Sequence, residues 1–134
     1  MEVEDWPNLV AMFRSKAAER DARPFLWEKR EGAYRSMTWR TAADQAFALA
    51  ATLRKLGVDG GDRVLLLAEN TPRWVVADFA IMAAGGLTVP VCTTNTVANH
   101  QHILEDSRAS VAIVSNDVLA GPFLEAARTN GGLR

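Results

Sequence analysis

The sequence predicts an α/β fold: an incomplete parallel sheet with flanking helices, preceded by a helix and a short β-hairpin. Three observations carry the prediction. Arg63 to Leu67 reads RVLLL, an apolar run without alternation, as expected of a strand buried on both faces. Segments with helical apolar spacing separate this run from two further apolar runs. Helix caps and glycine breaks fall at the junctions, with little loop between them. Strands and helices alternating in this way predict parallel pairing through right-handed crossovers.

The chain divides by texture into a leading helix and hairpin, residues 1–37, and alternating helix/strand units, residues 38–134. Leu9, Met12, Phe13 and Ala17 give the first helical pattern. Pro24 favours an extended residue before it. Phe25 to Arg30 and Tyr34 to Trp39 read as short strands around a turn at Glu31-Gly32. Thr38 is an N-cap for a helix with Ala46, Leu49, Ala50, Leu53 and Leu56 on one side. Arg54 and Lys55 complement its dipole, and Gly57 supplies the left-handed residue that ends it.

After the strand at Arg63 to Leu67, Thr71 and Pro72 occupy the N-cap and N1 positions of a helix running to about Ala84. This helix is apolar almost all round and needs cover beyond the sheet. Gly85-Gly86 closes it. Thr88 to Val91 is the next strand, and Pro90 places it at a strand end or sheet edge. Asn95 or Thr96 caps a helix through Asp106, and Ser110 to Ser115 is a third buried strand. Pro122 is read as the N1 residue of a last helix to about Arg128, and Gly131 to Arg134 as the approach to another strand.

Composition narrows the classes. The 134 residues are 49% hydrophobic and 23% charged, with a net charge of -1. Such a chain can bury one sizeable core and has no broad electrostatic reason to bind nucleic acid or an anionic membrane. Basic residues gather between Arg14 and Arg40, but Glu19, Asp21, Glu28 and Glu31 are mixed among them, so the region reads as a solvated face. Cys92 is the single cysteine, which fits a reducing cytoplasm. The acidic N-terminus lacks a signal-peptide pattern, and Trp74 to Gly86 is too short to span a bilayer.

The candidate chemistry is sparse. There is no P-loop and no dinucleotide-binding glycine motif. Asp59-Gly60-Gly61-Asp62 sets glycines beside two carboxylates and precedes a strand, so it reads as a turn. His100 and His102 point to nearly opposite sides of a helix and cannot chelate one metal together. His100 is expected partly buried; His102 is expected to pair with Asp106 at the surface. Cys92 has no evident activating base and reads as a small apolar filler. Asp78, inside an apolar helix, reads as a structural partner of Arg73 or a neighbouring segment. Trp39 and Trp74 read as anchors between helix and sheet. The carboxyl ends of the strands, Ala68-Glu69-Asn70, Cys92-Thr93-Thr94-Asn95 and Ser115-Asn116, are where an open parallel sheet would receive a ligand or neighbouring domain.

An ordered series of segments gives more. Tyr34-x-x-Met37-Thr38-Trp39 is followed by Leu53-Arg54-Lys55-Leu56-Gly57-Val58 and Gly61-Asp62-Arg63-Val64. Then come Glu69-Asn70-Thr71-Pro72-Arg73-Trp74, the run from Ala77 to Gly86, Thr88-Val89-Pro90-Val91, Thr93 to Thr96 and His102 to Ser107. This series resembles the opening of the adenylate-forming superfamily, and within it bacterial long-chain fatty acyl-CoA synthetases, over about Pro24 to Ser115.

The resemblance implies that the chain is an incomplete N-terminal portion of the large adenylate-forming domain. It implies a reaction in which a fatty carboxylate attacks ATP to give an acyl-adenylate, and coenzyme A then displaces AMP, with Mg²⁺ on the phosphates. The family's ATP-gripping loop, nucleotide contacts and catalytic lysine lie downstream. No catalytic, cofactor-binding or metal residue is therefore assigned here, and the segment is expected to be inactive alone. ATP, Mg²⁺, coenzyme A and fatty acid belong to the full-length enzyme. A dimer, or docking of the remaining chain, would cover the open sheet edge and an apolar helix face. The expected setting is cytoplasmic or peripheral to a membrane. An aryl- or amino-acid ligase of the same superfamily, or a non-catalytic interaction module on this scaffold, are the competing expectations.

Overall fold

A computed structural model describes residues 5–131 and residue 133. The elements run α1 (Leu9–Arg20), β1 (Pro24–Arg30), β2 (Ala33–Thr38), α2 (Trp39–Lys55), β3 (Arg63–Leu67), α3 (Pro72–Ala84), β4 (Leu87–Val91), α4 (Val97–Ser107), β5 (Val111–Val114) and α5 (Asp117–Asn130). β1 and β2 form an antiparallel hairpin; β4, β3 and β5 form a parallel sheet in that order. The α/β class, the parallel pairing and the leading helix and hairpin agree with the sequence reading.

Capping explains the boundaries. Asn8 accepts the Ala11 N–H at 2.8 Å, and Thr38 accepts the Thr41 N–H at 3.1 Å. Thr96 and Asn99 form a reciprocal capping box at α4. The hairpin turns at Glu31 and Gly32, both with positive φ (50° and 80°), as a tight two-residue connection requires. Pro72 starts α3 as anticipated. Gly85 ends it in the left-handed conformation, and Arg54 donates to the Ala83 carbonyl at 2.9 Å. Arg54, in the last turn of α2, thus caps the neighbouring helix α3.

Burial on both faces of β3 organises the core. Val64 and Leu66 join α1, α2 and α3 in one apolar cluster, while Leu65 and Leu67 join Val91, Leu104, Phe123 and Ala126 in the other. Val64, Leu65, Leu66 and Leu67 are each at most 1% exposed, which is why the run shows no alternation after Arg63. Each contributes on the order of 2 kcal/mol of apolar transfer. Phe13 stacks on Phe79 with ring centroids 4.0 Å apart, and Phe25 stacks on Trp39 at 3.7 Å. These rings fix α1 and the hairpin against α2 and α3.

Several expectations need correction. The last helix begins at Asp117, not Pro122: Asn116 accepts the Leu119 N–H at 3.0 Å and starts α5 five residues earlier. Pro122 then lies inside the helix, on a turn where Asp117, Val118, Gly121 and Pro122 are all exposed. Cys92 is exposed, because the chain has left the sheet after Val91, so it fills no core. The apolar helix α3 is not left open: Arg73 is its one exposed residue, and α2, α1 and the hairpin supply the cover. The strand edges of β4 and β5 are unpaired among the described residues, and Pro90 sits on the β4 edge. The strand approach anticipated at Gly131 to Arg134 includes Gly132 and Arg134, which lie outside the described residues. Gly131 ends α5 in the left-handed conformation.

Candidate functional site

The strand order brings the three anticipated strand ends side by side, with β3 in the middle. The helix after β3 packs in one core cluster and the helix after β5 in the other. The chain therefore diverges to opposite faces at the β3/β5 boundary, the kind of position where open α/β sheets form crevices. Glu69 spans it. Its carboxylate accepts hydrogen bonds from the Ser115 hydroxyl and, at 2.6 Å, from the Asn116 amide. Asn116 also caps α5, and the Ser115 N–H donates to the Leu67 carbonyl at 3.0 Å. The Ser115 hydroxyl, first among these donors, holds the Glu69 carboxyl below its usual titration range, so it stays an anion at neutral pH.

Two open depressions flank this bridge. One, of about 460 Å³, is floored by Leu66, Val76 and Ile113 and rimmed by Arg30, Gln45, Glu69, Arg73 and Ser115. The other, of about 590 Å³, lies between Trp74, Pro90, Cys92, Thr93 and Thr94. Trp74 is half-buried there, and Glu69 lines the same depression as Cys92. The rim can accept and donate hydrogen bonds, and the pair it brings together is the Ser115 hydroxyl and the Glu69 carboxylate.

The remaining candidates are placed as structural groups. Asp78 accepts a hydrogen bond from Thr88 at 2.6 Å, tying α3 to β4; its partner is Thr88, not Arg73. Asp62 accepts the Asp59 N–H and Asp59 accepts the Gly60 N–H, at 2.9 and 2.7 Å. Gly61 N–H donates to the Gly85 carbonyl at 2.9 Å. The N–H groups of Asp59, Gly60 and Gly61 are thus engaged within the protein, in keeping with a turn. His100 is 2% exposed, deeper than anticipated, and its Nδ1 has no hydrogen-bond partner. Its ring meets Phe123 edge-on at 5.6 Å. His102 is exposed and forms no ion pair with Asp106 among the described residues. No group of three His, Cys, Asp or Glu among the described residues is placed to hold a metal. The Glu69–Ser115–Asn116 bridge is what the sequence reading missed. Its signal was a polar cluster at two strand ends, but the pairing spans 46 residues and leaves no local pattern.

The fold is an open α/β sheet whose strand ends carry polar side chains. The model of the AMP-binding enzyme family matches residues 13–131. The chain belongs to that family. A long-chain-fatty-acid–CoA ligase, FadD15 of Mycobacterium bovis, is 34% identical over 117 residues, which are 86% of this chain and 19% of the relative. A benzoate CoA ligase from Burkholderia xenovorans superposes with a TM-score of 0.83 at 25% identity, covering 95% of this chain and 25% of that one. The anthranilate CoA ligase AuaEII, solved with anthranoyl-AMP, superposes with a TM-score of 0.81 at 28% identity, covering 97% and 25%. The chain thus corresponds to a small part of the proteins it matches.

Proposed function

We propose that residues 1–134 form the N-terminal portion of the large adenylate-forming domain of an ATP-dependent, AMP-forming long-chain fatty acyl-CoA ligase. The observation that carries this reading is the 34% identity to a long-chain-fatty-acid–CoA ligase over 86% of the chain. In the proposed enzyme this segment supplies no reacting group. It supplies the rigid sheet, and its strand ends present Glu69, Ser115 and the Cys92–Asn95 loop to the rest of the molecule. ATP, Mg²⁺, coenzyme A and the fatty acid engage residues beyond this segment, in a cytoplasmic setting.

A second reading is an aryl-acid ligase, favoured by the benzoate and anthranilate CoA ligases among the solved neighbours. ATP–pyrophosphate exchange by the full natural chain separates the two. Exchange driven by a long-chain fatty acid and not by benzoate supports the first; the reverse preference overturns it. The isolated 134-residue polypeptide is expected to show no exchange with either acid. Measurable exchange would mean that a reacting group lies in this segment after all.

A further inference from the structure

The Asp59-Gly60-Gly61-Asp62 turn joins α2 to β3 at the opposite end of the sheet from the two depressions, beside the start of β4. Asp59, Gly60 and Gly61 are exposed. The main chain braces most of the turn. Asp62 N–H donates to the Asp59 carbonyl at 3.1 Å, Gly61 N–H to the Gly85 carbonyl at 2.9 Å, and Leu87 N–H to the Asp62 carbonyl at 2.7 Å. Gly60 is held differently. Its N–H donates to Oδ1 of Asp59 at 2.7 Å, and no main-chain carbonyl takes it among the described residues. The Gly60 amide nitrogen and the Asp59 side-chain carboxyl are therefore neighbours in the folded protein, in a turn open to water.

A carboxyl group held against the amide that follows it can react with that amide. The nitrogen attacks Cγ: a C–N bond forms, the Cγ–OH bond breaks, and the hydroxyl leaves with the amide proton as water. The five-membered imide then takes water back. Opening at the former main-chain carbonyl leaves the chain running through Cγ as isoaspartate, with a free α-carboxylate. The sum is an isomerisation that needs no reagent but water. Glycine favours the attack because no Cβ shields its nitrogen, and holding the two groups together favours any intramolecular step. Asn130-Gly131 is the other Asp-Gly or Asn-Gly pair in the sequence. There Asn130 is the last residue of α5, and Gly131 N–H donates to the Ala127 carbonyl at 3.3 Å, so the helix holds that nitrogen on its own main chain.

We propose that Asp59-Gly60 is a covalent modification site, which isomerises to isoaspartate in the folded protein and then serves as substrate for an isoaspartyl-carboxyl methyltransferase. In that second step the methyl group of S-adenosylmethionine passes to the new α-carboxylate, giving a methyl ester and S-adenosylhomocysteine. Isomerisation also acts on the fold. It adds one main-chain atom to a turn that is packed closely from behind: a Cβ built on Gly85 would stand 3.5 Å from the Gly60 Cα. The bond from Gly61 to the Gly85 carbonyl is the contact this lengthening displaces, and it ties the turn to the end of α3. The modified protein therefore loosens where α3 passes into β4.

The test ages the full natural chain, folded, in neutral buffer over weeks. Purified isoaspartyl methyltransferase and labelled S-adenosylmethionine are the probes, and peptide mapping locates the label. Label is expected to grow with time in the peptide carrying residue 59, preceded by a species lighter by one water. The aged fraction should melt at lower urea than fresh protein and exchange faster at Gly61. Gly60→Ala places its Cβ in open space at a residue without positive φ, so it should keep the parental midpoint while label at residue 59 falls to background. Asp59→Asn should raise the label, with ammonia leaving in place of water. No label at residue 59 in the aged parent, parental labelling of Gly60→Ala, or label confined to Asn130 would overturn the proposal. Label that appears only after unfolding in urea would overturn it too, because the folded turn would then not bring the pair together. No readout uses ATP or a carboxylic acid substrate, so the outcome is independent of the ligase reading.

Discussion

Replacing His100 with leucine should make the protein insensitive to mild acid. His100 is 2% exposed, its Nδ1 has no hydrogen-bond partner, and burial alone pulls its pKa below the usual imidazole value. The ring it meets is Phe123 of α5, which belongs to an apolar cluster with Leu65, Leu67 and Ala126. The folded state therefore prefers the neutral ring, and the unfolded state binds the proton more readily. Stability is full above the unfolded value of about 6.5 and falls as pH drops below it, until the folded form also protonates. The steepest slope one such group can give is about 1.4 kcal/mol per pH unit.

At pH 8 the substitution should have a small net effect. Removing an orphaned buried polar atom recovers about 1–3 kcal/mol, while losing the edge-on contact with Phe123 costs about 0.5–1.5 kcal/mol. The informative quantity is the difference in slope. Urea titrations of parent and His100→Leu between about pH 7 and 5, above the range where ordinary carboxylates titrate, should show a falling midpoint only in the parent. His102→Gln, at the exposed neighbour, should keep the parental slope. Parallel pH profiles for parent and His100→Leu would refute the reasoning, because the buried ring would then not be the proton acceptor.

Other perturbations have equally definite signs. Phe13→Ala, at a residue 1% exposed that stacks on Phe79, should cost about 3–5 kcal/mol in a denaturant titration and release α1 first in hydrogen exchange. Gly85→Ala should cost about 1–2 kcal/mol because φ is 94° there, the added Cβ itself meeting the Gly60 backbone only at an ordinary contact distance of 3.5 Å. Thr96→Ala should cost about 1 kcal/mol by removing the acceptor of the Asn99 N–H, with the loss visible as faster exchange at the start of α4. Arg40→Ala should leave the denaturation midpoint essentially unchanged, since its pair with Asp21 is exposed to solvent.

The elements legible in the sequence were those whose cause is local. Thr38, Pro72, Gly85 and Thr96 mark boundaries because a cap needs only its own turn, and RVLLL marks a central strand because burial on both faces removes alternation. Pro122 misled because proline is common at N1, yet Asn116 offered a better cap five residues earlier on an exposed turn. Cys92 misled because it adjoins a buried strand residue, while the chain path turns it outward. The Glu69 bridge was invisible for a different reason: its partners meet only after β5 has paired with β3. The candidate site itself was placed by topology, through the strand ends. The family was legible in the order of segments, none of which is diagnostic alone.

The strand order also has a consequence for the chain as it is made. β3 is the middle strand, yet both of its partners follow it, β4 by way of α3 and β5 by way of α4. During synthesis the most deeply buried strand of the parallel sheet therefore emerges first, with both hydrogen-bonding edges vacant. α2 and α3 can close over one face early, because they adjoin β3 in sequence. The face carrying Leu65 and Leu67 has to wait for Leu104, Phe123 and Ala126. At about 5–20 residues per second the interval lasts several seconds, during which chaperones have their clearest target in this molecule. A peptide display of the nascent chain should place the strongest chaperone binding over Val64–Leu67 until α5 is released.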